Sequence, residues 1–321
     1  MIFCFIRLKM NKQQILLIKP GFRDYSIEIN LLSSTNYELS VIQDETDLLE
    51  KISNPLVVAI ITIHTPFTQE IIQSISSSCR VITRLGVGFD IIDVPACYKR
   101  NIRVCYVPDY GTNEVADHAV ALLFAAHRRL SIFHRSIVEQ NIWDNEIAGQ
   151  DLHSLNTRNL GVIGMGRIGS CFANKMRPFV KQIFSYDPIL PSNSSIGEIL
   201  EQCHIISLHI PMSSANYHFI STDTINRMKQ KPILINVSRG DLIDTQALIQ
   251  GLQTDQISYA ALDVIENEPK IDSKLVELDR IQLTPHAAWF TQESQCALRT
   301  KAIEDILRVL HGQQPIYPVP I

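Results

Sequence analysis

The sequence predicts an α/β protein of two doubly wound parallel-sheet domains with a cleft between them. Three observations predict it. Short, almost uninterrupted apolar runs alternate with helix-length amphipathic stretches, as expected of strands buried on both faces under covering helices. The alternation occurs twice, on either side of a break at Pro108. The length of 321 residues suits about two domains at roughly 100–200 residues each.

In chain order, Ile15-Leu16-Leu17-Ile18, Leu56-Val57-Val58-Ala59-Ile60-Ile61, Arg80-Val81-Ile82-Thr83 and Ile102-Arg103-Val104-Cys105-Tyr106-Val107 read as strands. Segments 46–52, 68–75 and 94–100 between them have helical length. A long helix follows Pro108, with Thr112 as its N-cap and Glu114 in the first turn, where the helix dipole favours a carboxylate. Val115, Ala119, Leu122, Leu123 and Ala126 recur on one face of it. A second set of strands runs through residues 160–163, 182–186, 205–208, 233–236, 259–262 and 281–284. Cys296, Thr300, Ile303, Leu307 and Leu310 then mark a final helix that Gly312 and Pro315 stop. That helix is expected to cross back onto the first unit. The expected domains are therefore 1–108 with 290–321, and 109–289.

Composition narrows the function classes. Hydrophobic residues at 45% and charged residues at 19% exclude a disordered or fibrous chain. With 29 basic and 33 acidic residues the formal charge is −4, which offers neither a phosphate-neutralising footprint for nucleic acid nor a polybasic membrane patch. No apolar run approaches the ~18–20 residues that span a bilayer. The opening Met1-Ile2-Phe3-Cys4-Phe5-Ile6 is apolar, but Arg7 and Lys9 follow it, the reverse of a signal peptide, and Met10 serves equally well as a start. Seven scattered cysteines without a C-x-x-C pair point to a reducing cytoplasm, with no disulfide framework and no metal site.

Gly164-Met165-Gly166-Arg167-Ile168-Gly169 is a G-x-G-x-x-G run that follows an apolar strand and opens an amphipathic helix. Asp187 ends the next strand, 18 residues after the last glycine. Gly164 allows the tight turn, Gly166 lets backbone approach a pyrophosphate, and Gly169 brings helix against strand. Asp187 is placed to bond the adenosine ribose hydroxyls and to repel a 2′-phosphate. Together these features predict a Rossmann-type domain that takes NAD rather than NADP.

Three more segments follow apolar strands: Asn236-Val237-Ser238-Arg239-Gly240, Asp263-Val264-Ile265-Glu266-Asn267-Glu268-Pro269 and Thr284-Pro285-His286-Ala287-Ala288-Trp289. In open parallel sheets, ligands bind outside the carboxyl ends of the strands. An arginine there forks onto a carboxylate, an imidazole passes a proton near neutral pH, and a neighbouring glutamate fixes the ring's tautomer and favours its charged form. The set suits reduction of a 2-oxo acid.

From about Ile15 to Gly312 the chain resembles the D-isomer-specific 2-hydroxyacid dehydrogenases. The ordered motifs carry the likeness: the glycine loop, Tyr186-Asp187-Pro188, the Ser-Arg-Gly turn, Asp-Val-x-Glu-x-Glu-Pro and Thr-Pro-His. Arg84-Leu85-Gly86-Val87-Gly88-Phe89-Asp90, Val115-Ala116-Asp117-His118-Ala119 and His286-Ala287-Ala288-Trp289 are most like the branch of C-terminal-binding-protein corepressors and their bacterial enzyme relatives. The resemblance implies a flavodoxin-like substrate domain beside the Rossmann-type one. It implies Arg239 on the substrate carboxylate and carbonyl oxygen, His286 as acid–base group, and Glu268 as its partner. It further implies Gly86 and Val87 amides on the carboxylate with Arg84 as a second cation, and Asp263 at the nicotinamide carboxamide. His209, Ile210, Pro211, Val237 and Ser238 would line the cofactor cleft. A homodimer formed through the region of helix 112–128 is also implied. Two departures stand out: the 187–205 stretch is shorter than usual for the family, and Ala288-Trp289 replaces a frequent Gly-Gly, which suggests an aromatic lid over the substrate. The expectation is an NAD-dependent enzyme acting on a 2-hydroxy acid, the alternative being an NAD-sensing regulator of corepressor type.

Overall fold

The computed structural model describes residues 12–148 and 152–320, so the opening apolar run, Cys4 and Met10 lie outside the described residues. The chain divides into two compact units. One runs to Tyr110 and resumes at Thr291, and the other spans Gly111–Phe290.

The first unit alternates β1 (Gln13–Ile18), α1 (Ser26–Leu32), β2 (Tyr37–Ile42), α2 (Leu48–Ser53), β3 (Val57–Thr62), α3 (Gln69–Gln73), β4 (Val81–Arg84), α4 (Val94–Lys99) and β5 (Arg103–Cys105). Its strands are all parallel, in the flavodoxin-like order β2-β1-β3-β4-β5. β3 is buried at every position, as its unbroken Val-Val-Ala-Ile-Ile-Thr run requires. The edge strand β2 is mostly half-buried, and the polar Glu38 and Ser40 interrupt its apolar pattern.

The second unit begins with α5 (Thr112–His127) and α6 (Leu130–Val138). Gly111, rather than Thr112, takes the cap position of α5. Then come β6 (Asn159–Ile163), α7 (Arg167–Met176), β7 (Gln182–Tyr186), α8 (Ile196–Gln202), β8 (Ile205–Leu208), α9 (Thr222–Asn226), β9 (Ile233–Asn236), α10 (Thr245–Gln253), β10 (Tyr259–Leu262), α11 (Ser273–Val276) and β11 (Ile281–Leu283). The parallel sheet has the order β11-β10-β9-β8-β6-β7. Side chains alternate across it even where the sequence is uniformly apolar. Ile163, Leu234 and Leu262 join one core cluster, while Val162, Ile235 and Ala261 join the other, which includes α5.

The short 187–205 stretch has a structural consequence. It holds only α8, so β7 is the sheet's edge. Asn193 then covers the exposed ladder: its side-chain amide donates to the Ile183 carbonyl at 3.1 Å and accepts from the Ser185 amide at 2.7 Å. One side chain thus satisfies backbone groups that an outer strand would otherwise pair.

The last helix, α12 (Gln292–Leu310), belongs to the first unit. Arg299 on it is buried against Glu28 of α1, with Nε to Oε1 at 2.7 Å, and its guanidinium lies 4.2 Å from the centre of the Phe22 ring. Gly312 ends the helix in the left-handed region at φ 78°.

Candidate active site

In the second unit each singled-out residue lies within three positions of a strand's last residue: Gly164 after β6, Asp187 after β7, His209 after β8, Val237 after β9, Asp263 after β10 and His286 after β11. Parallel strands bring all six to one edge of the sheet.

The glycine loop is built by close approach. Gly164 sits at φ 100°, donates to the Tyr186 carbonyl at 2.7 Å, and would place a Cβ only 2.5 Å from the His209 backbone. A Cβ on Gly169 would lie 1.9 Å from the Gly164 oxygen, so α7 can abut the loop only with glycine there. Gly166 caps α7 and has open space where a side chain would begin. A helix N-terminus facing open space, with an acid beside it, is a cradle for a dinucleotide pyrophosphate and ribose. The residues fit NAD.

Asp187 is part of that cradle. Its carboxylate accepts from the amides of Met165 at 2.7 Å and of Ile189 and Leu190 at 2.9 Å each. Partial burial works to raise its pKa, but the three N–H donors outweigh it and hold the carboxyl below its usual range.

His209 is turned away from the loop surface. Its Nε2 pairs with the Ser207 hydroxyl at 2.8 Å, its ring packs 5.0 Å from that of Phe172, and its buried Nδ1 lacks a hydrogen-bond partner among the described residues. Burial pushes its pKa down to about 3. It therefore borders the loop through its backbone, followed by buried Ile210 and exposed Pro211.

Buried Asn236 shapes the Arg239 turn by donating to the Arg239 carbonyl at 2.7 Å and accepting from the Ser238 amide at 3.0 Å. The Ser238 hydroxyl reaches the Leu208 carbonyl at 2.9 Å. Val237 is buried, and Arg239 is half-buried with Nη1 on the Ser238 carbonyl at 2.8 Å.

His286 and Glu268 meet, Nδ1 to Oε2, at 2.7 Å. The other Glu268 oxygen accepts from the Ile265 amide at 3.1 Å. Partial burial opposes ionisation of Glu268, but the hydrogen bond and charge of His286, the Ile265 amide and the Arg239 charge prevail and keep its pKa below the usual value.

Asp263 is 2% exposed and fastens the histidine loop. Its Oδ1 accepts from the Thr284 hydroxyl at 2.6 Å and the Ala287 amide at 2.8 Å, while Oδ2 accepts from Ala288 at 2.9 Å. The Asp263 carbonyl takes the His286 amide at 2.8 Å. His118 of α5 completes the network, with Nε2 2.9 Å from the Thr284 hydroxyl. Residue type and spacing alone give no role to His118 or Asn236. The signal for His118 was its place three residues after Val115 and four before Leu122, on the apolar face of α5.

Trp289 packs partly on the core cluster beneath α5, close to Gly111, with its ring 5.5 Å from Phe290 and edge-on to it. Arg84, Gly86 and Val87 belong to the first unit, at the carboxyl end of β4. The Gly86 amide, expected to face a substrate carboxylate, donates to the Arg84 carbonyl at 3.0 Å in a tight turn with φ 146° at the glycine. Arg84 donates to the Leu85 carbonyl at 2.9 Å, and Val87 is exposed. Among the described residues, no cluster of His, Cys, Asp and Glu is arranged to hold a metal, and no helix is long and apolar enough to cross a membrane.

A doubly wound sheet with a glycine-rich turn at its first strand and an acid at its second defines a dinucleotide-binding protein. The chain belongs to the D-isomer-specific 2-hydroxyacid dehydrogenase family, whose NAD-binding domain matches residues 120–288, and NAD is its cofactor. It is 35% identical over 278 residues to a D-3-phosphoglycerate dehydrogenase of Methanocaldococcus jannaschii, covering 83% of this chain and 52% of that one. The chain thus spans about half the length of that relative. A glyoxylate reductase of Korarchaeum cryptofilum is 32% identical over 300 residues, covering 87% of this chain and 89% of that protein. The crystal structure of a glyoxylate reductase from Paecilomyes thermophila superposes with a TM-score of 0.87 at 27% identity, covering 97% and 99% of the two chains.

Proposed function

We propose that the protein is an NAD-dependent oxidoreductase that interconverts a D-2-hydroxy acid and its 2-oxo acid. The His286–Glu268 pair, on the same sheet edge as the glycine loop, carries this reading. The Met165, Gly166, Arg167 and Ile168 backbone would hold the pyrophosphate and Asp187 the adenosine ribose. When bound, NADH supplies the hydride. Arg239 forks onto the substrate carboxylate and steadies the adjacent carbonyl oxygen. Glu268, kept ionised, is an acceptor only, so the His286 Nδ1 carries a hydrogen towards it and Nε2 is left to exchange a proton with the substrate oxygen. Asp263 holds that ring's loop in place, and we retain Trp289 as a candidate wall for the substrate's far end.

The relatives matched are named as dehydrogenases and reductases, and nothing favours the regulatory alternative. We also propose a homodimer, on the strength of exposed Leu130, Ile137, Val138 and Trp143 in and after α6, and a cytoplasmic setting in keeping with six free thiols among the described residues. The test follows NADH oxidation with glyoxylate, pyruvate, 2-oxo-4-methylpentanoate and 3-phosphohydroxypyruvate. Turnover of at least one, abolished in Arg239→Gln without loss of NADH binding, is expected. NADH binding with no turnover of any 2-oxo acid would overturn the proposal.

A further inference from the structure

The segment that supplies Glu268 carries another glutamate, Glu266, to which proton transfer gives no task. Glu266 belongs to a junction of loops in the second unit: 209–219 after β8, 237–244 after β9 and 263–269 after β10. Its Oε1 lies 2.6 Å from His218 Nε2, and its Oε2 accepts from the Thr245 amide at 2.8 Å. Both carboxylate oxygens are therefore engaged, one towards the loop after β8 and one towards the start of α10. The contact is well covered, the His218 and Glu266 side chains being 28% and 15% exposed.

His218 is itself fixed from several sides. Its backbone sits in the left-handed region at φ 50°, its amide donates to the Asp241 carbonyl at 2.9 Å, and the Tyr217 ring stacks on its own with centres 3.9 Å apart. Its Nδ1 faces Asp244 Oδ2 at 3.9 Å. A residue other than glycine keeps that backbone conformation only where its surroundings over-determine it. Thr245 opens α10, so the Glu266 carboxylate also lies at a helix N-terminus, where negative charge is favoured. Partial burial works to raise the Glu266 pKa, but the Thr245 and His218 hydrogen bonds and the His218 charge prevail and hold it below the usual value.

The consequence falls on Glu268. The Ile265 amide, one residue before Glu266, donates to Glu268 Oε1 at 3.1 Å. Backbone presses on the same residue from the other side, since a Cβ on Gly240 would lie 1.9 Å from the Ile265 oxygen. Segment 265–268 is thus wedged against the Arg239 turn and fastened through Glu266, two residues from the carboxylate that meets His286. The Arg239 turn has its own brace in Asn236 and does not rely on Glu266. We propose, resting on the acid–base reading of His286 and Glu268, that Glu266 is a positioning residue for that pair. Held by His218 and the Thr245 amide, it fixes the 265–268 segment so that Glu268 meets His286 Nδ1, and it acts through Glu268 rather than on the substrate.

The test uses the full chain with NADH and whichever of the four 2-oxo acids above is turned over fastest. Glu266→Ala removes both bonds, and kcat should fall about ten- to a hundredfold, as for a misplacement approaching 1 Å, with KM and the NADH Kd unchanged. In Glu266→Gln the amide oxygen still accepts from Thr245 and the NH2 group faces His218 Nε2, so most of the activity should return. His218→Asn keeps a residue that tolerates the left-handed backbone but is too short to reach Glu266, and it should repeat the loss. Combined with Glu266→Ala it should cost nothing further, the two residues acting as one device. Independently of turnover, the nitrogen NMR shifts of the His286 ring should move in Glu266→Ala and hold their parent values in Glu266→Gln. Should Glu266→Ala not fold, His218→Asn is read in its place. The proposal fails if these variants lower stability but leave kcat and the ring shifts unchanged, if KM alone rises, or if the losses of the single variants multiply in the double one. His286→Ala separates the two readings. Full turnover in that variant overturns the acid–base assignment and this inference with it, whereas a crippled His286→Ala beside a normal Glu266→Ala overturns this inference alone.

Discussion

Asp263→Asn is the sharpest test of how the histidine loop is held. The native carboxylate accepts three hydrogen bonds from inside the loop, two of them backbone amides. An asparagine of the same shape has one acceptor oxygen and one NH2 group. If the NH2 replaces Oδ2 it faces the Ala288 amide; if it replaces Oδ1 it faces the Ala287 amide, although the Thr284 hydroxyl can turn to His118. Either way one buried N–H is stranded, at a cost of about 1–3 kcal/mol, and the remaining bonds lose their charge assistance at roughly 1 kcal/mol more. Chemical denaturation should show a loss of about 2–4 kcal/mol. Because the Ala287 and Ala288 amides follow His286 directly, the ring should shift, and a misplacement near 1 Å costs about 10²-fold in kcat. A carboxylate whose main task is to bind nicotinamide would give a different result: weaker NADH binding with stability intact. If stability stays within about 0.5 kcal/mol of the parent protein, the clamp argument is wrong.

His286→Ala should lower kcat by about 10²–10⁴-fold while NADH still binds, checked by steady-state kinetics and NADH fluorescence. Asp187→Ala should narrow the preference for NAD over NADP, measured as the kcat/KM ratio, and raise the NAD Kd as well, because the Met165 amide loses its acceptor. The Glu268 contribution to folding should be fully present above its ordinary pKa of 4.5 and vanish as pH falls through its lower folded value, a loss that Glu268→Gln should abolish in urea titrations across pH. His209 acts from a higher pH. Its folded pKa near 3 lies below the unfolded 6.5, so below pH 6.5 the unfolded chain alone takes up its proton, and stability should fall by up to about 1.4 kcal/mol per pH unit. His209→Gln should flatten that slope between pH 6 and 4.

What the sequence shows well is whatever burial or chain geometry dictates locally. β3 is legible because five consecutive apolar residues, mostly β-branched and too few for a buried helix, suit a strand covered on both faces. The glycine loop is legible because its three glycines fall at fixed spacing between an apolar strand and an amphipathic helix. β2 escapes the reading because an edge strand with one wet side carries Glu38 and Ser40 and loses the unbroken apolar signal. α1 and α6 escape it too, being short helices between stronger neighbours.

The candidate site divides along the same line. Arg239, Glu268 and His286 follow strands in recognisable turns, so their residue types announce them, and the 2.7 Å contact of Glu268 with His286 spans only 18 positions. The residues that hold them are hidden because they act across long separations. His118 meets Thr284 over 166 positions, and its imidazole reads as part of an apolar helix face until β11 is laid beside α5. Asp263 looks like a ligand group at the end of a strand, yet three loop donors already occupy its oxygens. Asn193 looks like an ordinary loop residue, yet it does a strand's work, and that becomes visible only once the sheet is seen to end at β7. Chemistry-bearing residues are thus legible by type and position, whereas the groups that position them depend on which partner the fold supplies. Substitutions at His118 and Asn193 should accordingly report on the loop and the sheet edge rather than on proton transfer.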